Sequence, residues 1–242
     1  PFFTEELART LQDDGLVSVV NGECDISAEA GKLNSLRLPD TVQGVITSRI
    51  DRLSPAQQLT LKVASVIGRA FEFNTLEAIH PIEADRSHLH DYLSRLNRLE
   101  ITQLHEPEPT LAYIFRQTVT QEVAYNMMLF SQRRELHKAV AQWYEHHHAE
   151  DLSQYYALLA FHWQAAQVAD KTIGYLEKAG DEALRNYANE EAVQFFSQAL
   201  ALAQSPSAKA DTPEAAGAGE SPPAGATPAE AAPSQLRRAR WE

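Results

Sequence analysis

The sequence predicts a mainly helical protein with one small β-hairpin between two groups of helices, and three observations support this prediction. Hydrophobic residues recur every three or four positions through much of residues 38–203, as they do along one side of an amphipathic helix. Residues 101–115 replace that pattern with two short strand-like runs around an acidic, proline-containing segment. No strand pattern follows them, and residues 171–203 have the pattern of two helices joined by a turn.

The composition limits the classes of protein to which the chain can belong. Its 242 residues, 44% of them hydrophobic, have room for one large or two small domains. The net charge of -12 argues against general affinity for nucleic acid, which clustered lysines and arginines drive. Cys24 is the only cysteine, and no apolar run approaches the roughly 20 residues that cross a bilayer. We therefore expect a cytoplasmic protein, with no nucleic acid and no membrane among its partners.

The first 37 residues give the weakest structural signal. Thr4 and the glutamates after it, followed by Leu7 and Leu11, predict a short capped helix that ends near Gly15. Residues 21–35 are polar and aperiodic, which predicts a loop. The chain opens without a methionine, and residues 235–242 have the pattern of a helix that is just starting. We expect a piece of a longer protein, with a processed mature protein as the alternative.

Residues 38–130 predict a compact module. Asp40 or Thr41 can cap a first helix, and Ser54 with Pro55 can start a second that ends at Gly68. An alternating segment at 71–73 precedes a third helix from about Arg86, and residues 101–104 and 111–115 predict two strands. Three helices followed by a two-stranded hairpin are the order of a winged helix, so the prediction is a winged-helix-like domain. The first two helices have these apolar residues on one side: Val42, Val45, Ile46 and Ile50, then Leu59, Val63, Val66 and Ile67; the third has Leu89, Leu93, Leu96 and Leu99.

Residues 131–203 predict tetratricopeptide-like helical hairpins. In the last hairpin, small Ala and Gly residues at facing positions would let two helices approach closely, with aromatic side chains between them. Residues 204–234 are rich in Ala, Pro and Gly and contain no large apolar side chain, which predicts a disordered linker before the helix that starts at 235–242. The apolar positions predicted for the last hairpin are Ile173, Leu176, Ala179, Ala183, Leu184 and Tyr187, then Ala192, Val193, Phe196, Ala199 and Leu200.

No pattern in the sequence predicts a catalytic residue or a metal site. The only Gly-Lys pair, Gly31-Lys32, has Ile26 and Leu33 where a phosphate-binding loop needs Gly and a hydroxyl residue. His88 and His90 are two apart on a helix and point away from each other. The triplet 146–148 could hold a metal opportunistically, although three histidines at a helix end are better explained by solvent and the helix dipole.

DNA binding is the usual use of a winged helix. The third helix offers Arg86, Arg95 and Arg98 but also Asp85 and Asp91, and the hairpin tip at 106–109 is acidic where it should meet phosphate. Cys24, in a polar segment without an evident histidine partner, is equally weak as a nucleophile. The interpretation that remains is a packing module inside a larger protein.

Several segments carry a family resemblance. Residues 1–7 (PFFTEEL), 38–46 (LPDTVQGVI) and 49–53 (RIDRL) resemble the region after the ATPase core in signal-transduction ATPases with numerous domains. Residues 115–125 (FRQTVTQEVAY) and 133–137 (RRELH) resemble the branch of that family fused to class III adenylate or guanylate cyclase domains. The resemblance covers about residues 1–203 and implies an upstream ATPase core as the chain's partner.

The resemblance implies two cofactor-binding positions. Pro1 would belong to a Gly-x-Pro element that packs near adenine in the ATPase lid, which would make residues 1–37 the end of that lid and a connector. Gln117 stands where related sequences commonly have a histidine that can contact the bound diphosphate. Because glutamine cannot carry charge, that role would be weakened or lost. The alternative for Gln117 is a polar cap on the helix that begins near Thr118.

The expected function is therefore a non-catalytic regulatory and protein-interaction segment of a multidomain signalling ATPase, in an adenylate or guanylate cyclase-like parent. Protein partners would bind the helical repeats. The resemblance implies ATP or ADP and magnesium for the ATPase core, and no cofactor for this chain. Two alternatives stay open: the sensor region of an ATPase-type transcriptional regulator, and that of a serine/threonine protein kinase.

Overall fold

The computed structural model is mainly helical, with a small three-stranded sheet. It describes Thr4 and residues 17–20, 23–26, 42–107 and 109–204, and the following statements concern those residues. The chain divides into two units, Pro1–Leu59 and Thr60–Glu242, each described by itself below.

The first unit contains an antiparallel hairpin and the start of the helical region. Strands β1 (Val17–Val20) and β2 (Glu23–Ile26) pair, so the predicted loop over 21–35 is wrong for β2. Its alternation of polar and apolar residues is too short to stand out in the sequence. Helix α1 (Val42–Asp51) confirms the first predicted helix of the module. The helix predicted near 3–14 lies outside the described residues, apart from Thr4, which is helical.

Helix α2 (Pro55–Ile67) begins where the sequence predicts. The Ser54 Oγ accepts a hydrogen bond from the Gln57 amide at 3.3 Å, and the Ser54 amide donates to Gln57 Oε1 at 3.1 Å. This reciprocal pair satisfies two amides that the start of a helix leaves without partners. The helix ends before Gly68, whose φ of +154° disfavours any side chain.

The second unit continues from α2 through eight further described helices and three strands. In chain order they are β3 (Ala70–Glu72), α3 (Phe73–Ile79), α4 (Glu83–Arg86), α5 (Leu89–Arg98), β4 (Thr102–Glu106), β5 (Ala112–Phe115), α6 (Thr118–Asn126), α7 (Phe130–His147), α8 (Tyr156–Ala165), α9 (Ala169–Arg185) and α10 (Asn189–Gln204).

The sheet has one strand more than the predicted hairpin. Its order is β3-β5-β4, antiparallel throughout, with Phe71 opposite Tyr113 and Thr102 opposite Phe115. The prediction missed β3 as a sheet partner because three residues are too few to show a period. The third predicted helix also begins later than Arg86, at Leu89, and α3 was not predicted.

Aromatic and leucine side chains from the sheet and α5 form a buried core. Phe71 and Phe115 are almost inaccessible to solvent, and their rings lie 5.7 Å apart. The leucines of α5 spaced three and four residues apart, Leu89, Leu93 and Leu96, are fully buried, as their periodicity predicts. The Gln121 side chain on α6 donates to the Ser65 carbonyl of α2 at 3.0 Å, which ties α6 to this core.

Helices α7 to α10 pack in succession, each against the next in the described chain. Helices α9 and α10 form the predicted hairpin and approach closely at Gly180, where an added Cβ would lie 2.7 Å from the Phe196 ring. Four apolar side chains expected between the two helices are instead exposed, because they lie on outer faces or in the turn. They are Leu184 (48%), Tyr187 (90%), Val193 (65%) and Leu200 (59%).

Candidate functional site

Gln117 lies at the junction between the sheet and the helices that follow it. It directly precedes α6, in extended conformation (φ -135°, ψ 135°), and its side chain is partly buried. Its carbonyl accepts hydrogen bonds from the amides of Thr120 (3.2 Å) and Gln121 (3.4 Å). Its side chain makes no capping hydrogen bond to the described first turn. Gln117 therefore occupies the N-cap position, but its side chain does not cap the helix.

The neighbours of Gln117 are held by the sheet and by an ion pair. Phe115 is buried in the core, and the Arg116 amide donates to the Ile101 carbonyl at 3.1 Å. The Arg116 guanidinium contacts the Glu100 carboxylate at 3.1 Å, with both side chains substantially exposed. Pro1, the other predicted cofactor-binding residue, lies outside the described residues.

The histidines considered for metal binding have aromatic neighbours. The His90 ring stacks on Phe73 at 4.0 Å, and the His88 Nδ1 lies within 3.0 Å of the Ser87 hydroxyl. His147 stacks on Trp143 at 4.6 Å, and His148 lies 4.2 Å from the Tyr155 ring, beside an open surface depression. Within the part of the chain that the structure describes, no three His, Cys, Asp or Glu side chains are grouped as metal ligands.

One carboxylate joins three helices. Glu145 on α7 accepts hydrogen bonds at one oxygen from Tyr175 (2.7 Å) and Lys171 (2.9 Å) of α9. The same oxygen accepts from the Trp163 indole of α8 at 3.1 Å. Burial alone would raise the pKa of Glu145, but these donors and the Lys171 charge outweigh it and lower the pKa. Burial, together with the same pairing, raises the pKa of Tyr175.

A chain of three polar side chains, two buried histidines and one partly buried tyrosine, lies where α6, α7 and α8 meet. The Tyr125 hydroxyl lies 2.9 Å from His137 Nε2, and His137 Nδ1 lies 2.9 Å from Nδ1 of His162. Both histidines are buried, and His162 Nε2 has no hydrogen-bond partner among the described residues. Burial, with the positive charge of Arg133, lowers the pKa of His137 from 6.5 to about 3. Burial and His137 lower that of His162 well below 6.5.

Sequence reasoning did not single out these buried polar groups, although a signal for the histidines existed. His162 lies at helical spacing from Leu159 and Ala166, and His137 lies at the same spacing from Val140 and Ala141. A histidine among apolar residues on the inner side of a helix needs a buried partner. The identity of that partner depends on which helices meet, which one sequence does not show.

Comparison with protein-family models, curated proteins and solved structures gives no match for the chain. Among the described helices, none combines the length and the apolar character needed to span a bilayer.

Proposed function

We propose that the chain is a regulatory and protein-interaction segment, without catalytic activity of its own, of a multidomain signalling ATPase. In this proposal residues 38–130 form a winged-helix-like module and residues 131–203 form tetratricopeptide-like hairpins. The parent would be an adenylate or guanylate cyclase-like protein with an ATP-binding and magnesium-binding core, as the resemblance of residues 1–7, 115–125 and 133–137 implies.

The observation that carries the proposal is the sheet topology. From α2 onward the order is helix, strand, three helices, strand, strand, with the first strand paired to the last and the last to the middle one. Apart from the additional short helix α4, this is the order expected for a winged helix. Helices α7 to α10 pack each against the next, and α9 and α10 approach closely at Gly180. This packing supports the repeat-like hairpins proposed for residues 131–203. An acidic hairpin tip at 106–109 favours protein over nucleic acid as the partner.

Regulation would act through a population shift. The segment would contact the ATP-bound and ADP-bound forms of the core differently, and that difference in contact free energy would favour one of the two states. Gln117 would lie at the nucleotide-facing end of the module and would contribute a hydrogen bond without charge. Its position between the buried Phe115 and α6 supports a fixed backbone for such a contact.

The coding DNA upstream of Pro1 tests this proposal. We expect an in-frame phosphate loop, Gly with four residues and then Gly-Lys-Ser or Gly-Lys-Thr, and a cyclase domain before it. An upstream frame without a phosphate loop would reject the ATPase parent. A phosphate loop followed by a kinase domain, or a helix-turn-helix domain beyond residue 242, would move the assignment to one of the two alternative parents.

A variant of the parent tests the role of Gln117. Gln117→His supplies a side chain that can carry charge, so we expect ADP to bind the whole protein more tightly, by about threefold to tenfold at mildly acidic pH. The matched control is Gln103→His, because Gln103 is exposed on β4. Gln121 is unsuitable as a control position because it is buried. Equal ADP affinity of wild type and Gln117→His would remove Gln117 from the site.

A further inference from the structure

The chain Tyr125–His137–His162 joins three helices that follow the sheet, and both of its histidines are buried. One member comes from each of α6, α7 and α8, and the two contacts between members are both 2.9 Å long. The ring of Phe161 lies edge-on to His137 at 5.7 Å and closes the cluster on the α8 side. The cluster therefore depends on the mutual packing of these helices.

Proton counting shows that this arrangement holds while the rings are neutral. The contact between the two Nδ1 atoms has room for one proton, which one ring donates and the other accepts. If both rings carried two protons, two N–H groups would face each other across that contact. Full protonation of the pair is therefore incompatible with the observed packing.

Among the described residues, no negatively charged group compensates positive charge on the rings. The charged group that acts on His137 is the Arg133 guanidinium of the same helix, which also lies over the Tyr125 ring at 4.9 Å. The group that acts on His162 is His137 itself. Helices α3 and α9, which pack on α7 and α8, contribute no described carboxylate that acts on either ring. Each added proton would thus be a buried, uncompensated charge.

We propose that Tyr125, His137 and His162 form an acid-sensitive latch that holds α8 against α6 and α7 at neutral pH and releases it when the two imidazoles are protonated. His162 Nε2, which has no hydrogen-bond partner among the described residues, supports a role beyond packing, because an apolar side chain of similar size would fill the site without leaving a polar atom unsatisfied. The latch does not depend on the proposed function, since it belongs to the described packing alone.

The sign of the pH effect follows from the ring pKa values. Both are lowered by burial, so the open form binds more protons than the closed form, and the closed form is favoured at high pH. The stabilisation is complete above 6.5, the pKa of an accessible imidazole, and is lost as pH falls toward about 3. As pH falls from about 7.5 to about 5.5, protonation of each ring raises the open population about tenfold. Protonation of both rings together raises it about 100-fold.

Hydrogen exchange of the 242-residue chain tests the latch. The open population is the fraction of molecules in which α8 is released from α6 and α7. It is obtained from the exchange rates of the α7 and α8 amides at about pH 7.5 and about pH 5.5, after correction for the pH dependence of intrinsic exchange. We expect the roughly 100-fold rise in the wild type, about tenfold in His162→Gln, and no rise in His137→Leu/His162→Leu. Carboxylates stay ionised across this range and do not contribute.

The controls separate the latch from other histidines. His146→Gln removes an exposed histidine on the same helix and should leave the wild-type pH dependence unchanged. His80 is also buried, against the Ile82 carbonyl and the Thr60 hydroxyl, but lies outside the three helices. A wild-type open population that is the same at both pH values would overturn the proposal, whether or not the double variant folds. So would an equal pH dependence in the wild type and His162→Gln.

Discussion

At the scale of single residues, Glu145 makes three polar contacts that cross helix boundaries. It is one of the few charged groups whose role can be stated from geometry, because three donors from α8 and α9 converge on one oxygen. The exposed pair of Glu182 and Arg185, three residues apart on α9, provides a contrast, since both partners belong to one helix. A contact between helices stabilises their packing, whereas one within a helix stabilises only a turn.

Glu145→Gln should destabilise the chain by about 1–3 kcal/mol, since hydrogen bonds to a charged acceptor are lost or weakened. Urea unfolding at neutral pH measures this difference. Glu182→Gln is the matched control and should cost about 0.5 kcal/mol or less. Because the folded pKa of Glu145 is lowered from 4.5, the advantage of the wild type is present above 4.5 and shrinks as pH falls through the lower folded value. Equal unfolding midpoints for wild type and Glu145→Gln would contradict this role.

The limits of sequence-based prediction are clear at this scale. Buried leucines such as Leu93 follow from helical spacing, because burial of an apolar face is a local property of the pattern. Glu145, His137 and His162 acquire their roles from partners 18 to 30 residues away. Spacing within one helix does not specify which distant helix covers it.

At the scale of elements, the α9–α10 hairpin tests the role of small residues. Gly180 faces the Phe196 ring, whereas a Cβ on Gly174 of the same helix would meet no atom within 4 Å. The prediction that small residues permit close approach is therefore correct for one glycine and not needed for the other. The exposed side chains at the outer faces show that helical spacing alone overestimates how much of each helix is covered.

Gly180→Ala should destabilise the hairpin by about 1–2 kcal/mol, because the Phe196 ring must move out of its contact with α9. Gly174→Ala should stabilise it by about 0.5–1 kcal/mol, since alanine loses less backbone entropy in a helix. Thermal or urea unfolding of the two variants and the wild type gives both signs. The same sign for both substitutions would contradict the observed packing.

The turn between α9 and α10 contains an unusual residue for its conformation. Tyr187 has a φ of 60°, and the amides of Tyr187 and Ala188 donate to the carbonyls of Leu184 (3.1 Å) and Ala183 (2.8 Å). This is the pattern with which many helices end, and glycine usually occupies the left-handed position. Tyrosine there is strained and, at 90% exposure, makes little compensating contact.

Tyr187→Gly should therefore raise the free energy of unfolding by about 1 kcal/mol through relief of strain. The greater conformational entropy of glycine in the unfolded chain offsets part of this gain. Calorimetric melting of the variant measures the change. Asn186→Gly is the control, since Asn186 has a φ of -90° and gains nothing from glycine. A variant Tyr187→Gly that melts below the wild type would show that the tyrosine ring contributes contacts that outweigh its strain.

At the scale of the whole molecule, the sequence predicts the mainly helical class and the order of most elements. Helical periodicity, the Ser54 cap and the stop at Gly68 are local signals, and the structure confirms the helices that they predict. Three elements were not predicted: strands β2 and β3 and the short helix α3. Each is stabilised by a partner distant in sequence or is too short to show a period.

The proposed function rests on the sheet topology and on the resemblance of a few segments. It therefore needs a direct measurement of nucleotide binding by the isolated chain. Calorimetry with ATP and with ADP, in the presence of magnesium, is the sharpest one. We expect no binding of either nucleotide, because the nucleotide-binding core would lie in another part of the parent protein. Micromolar binding by the isolated chain would contradict the assignment of a regulatory segment without a nucleotide site of its own.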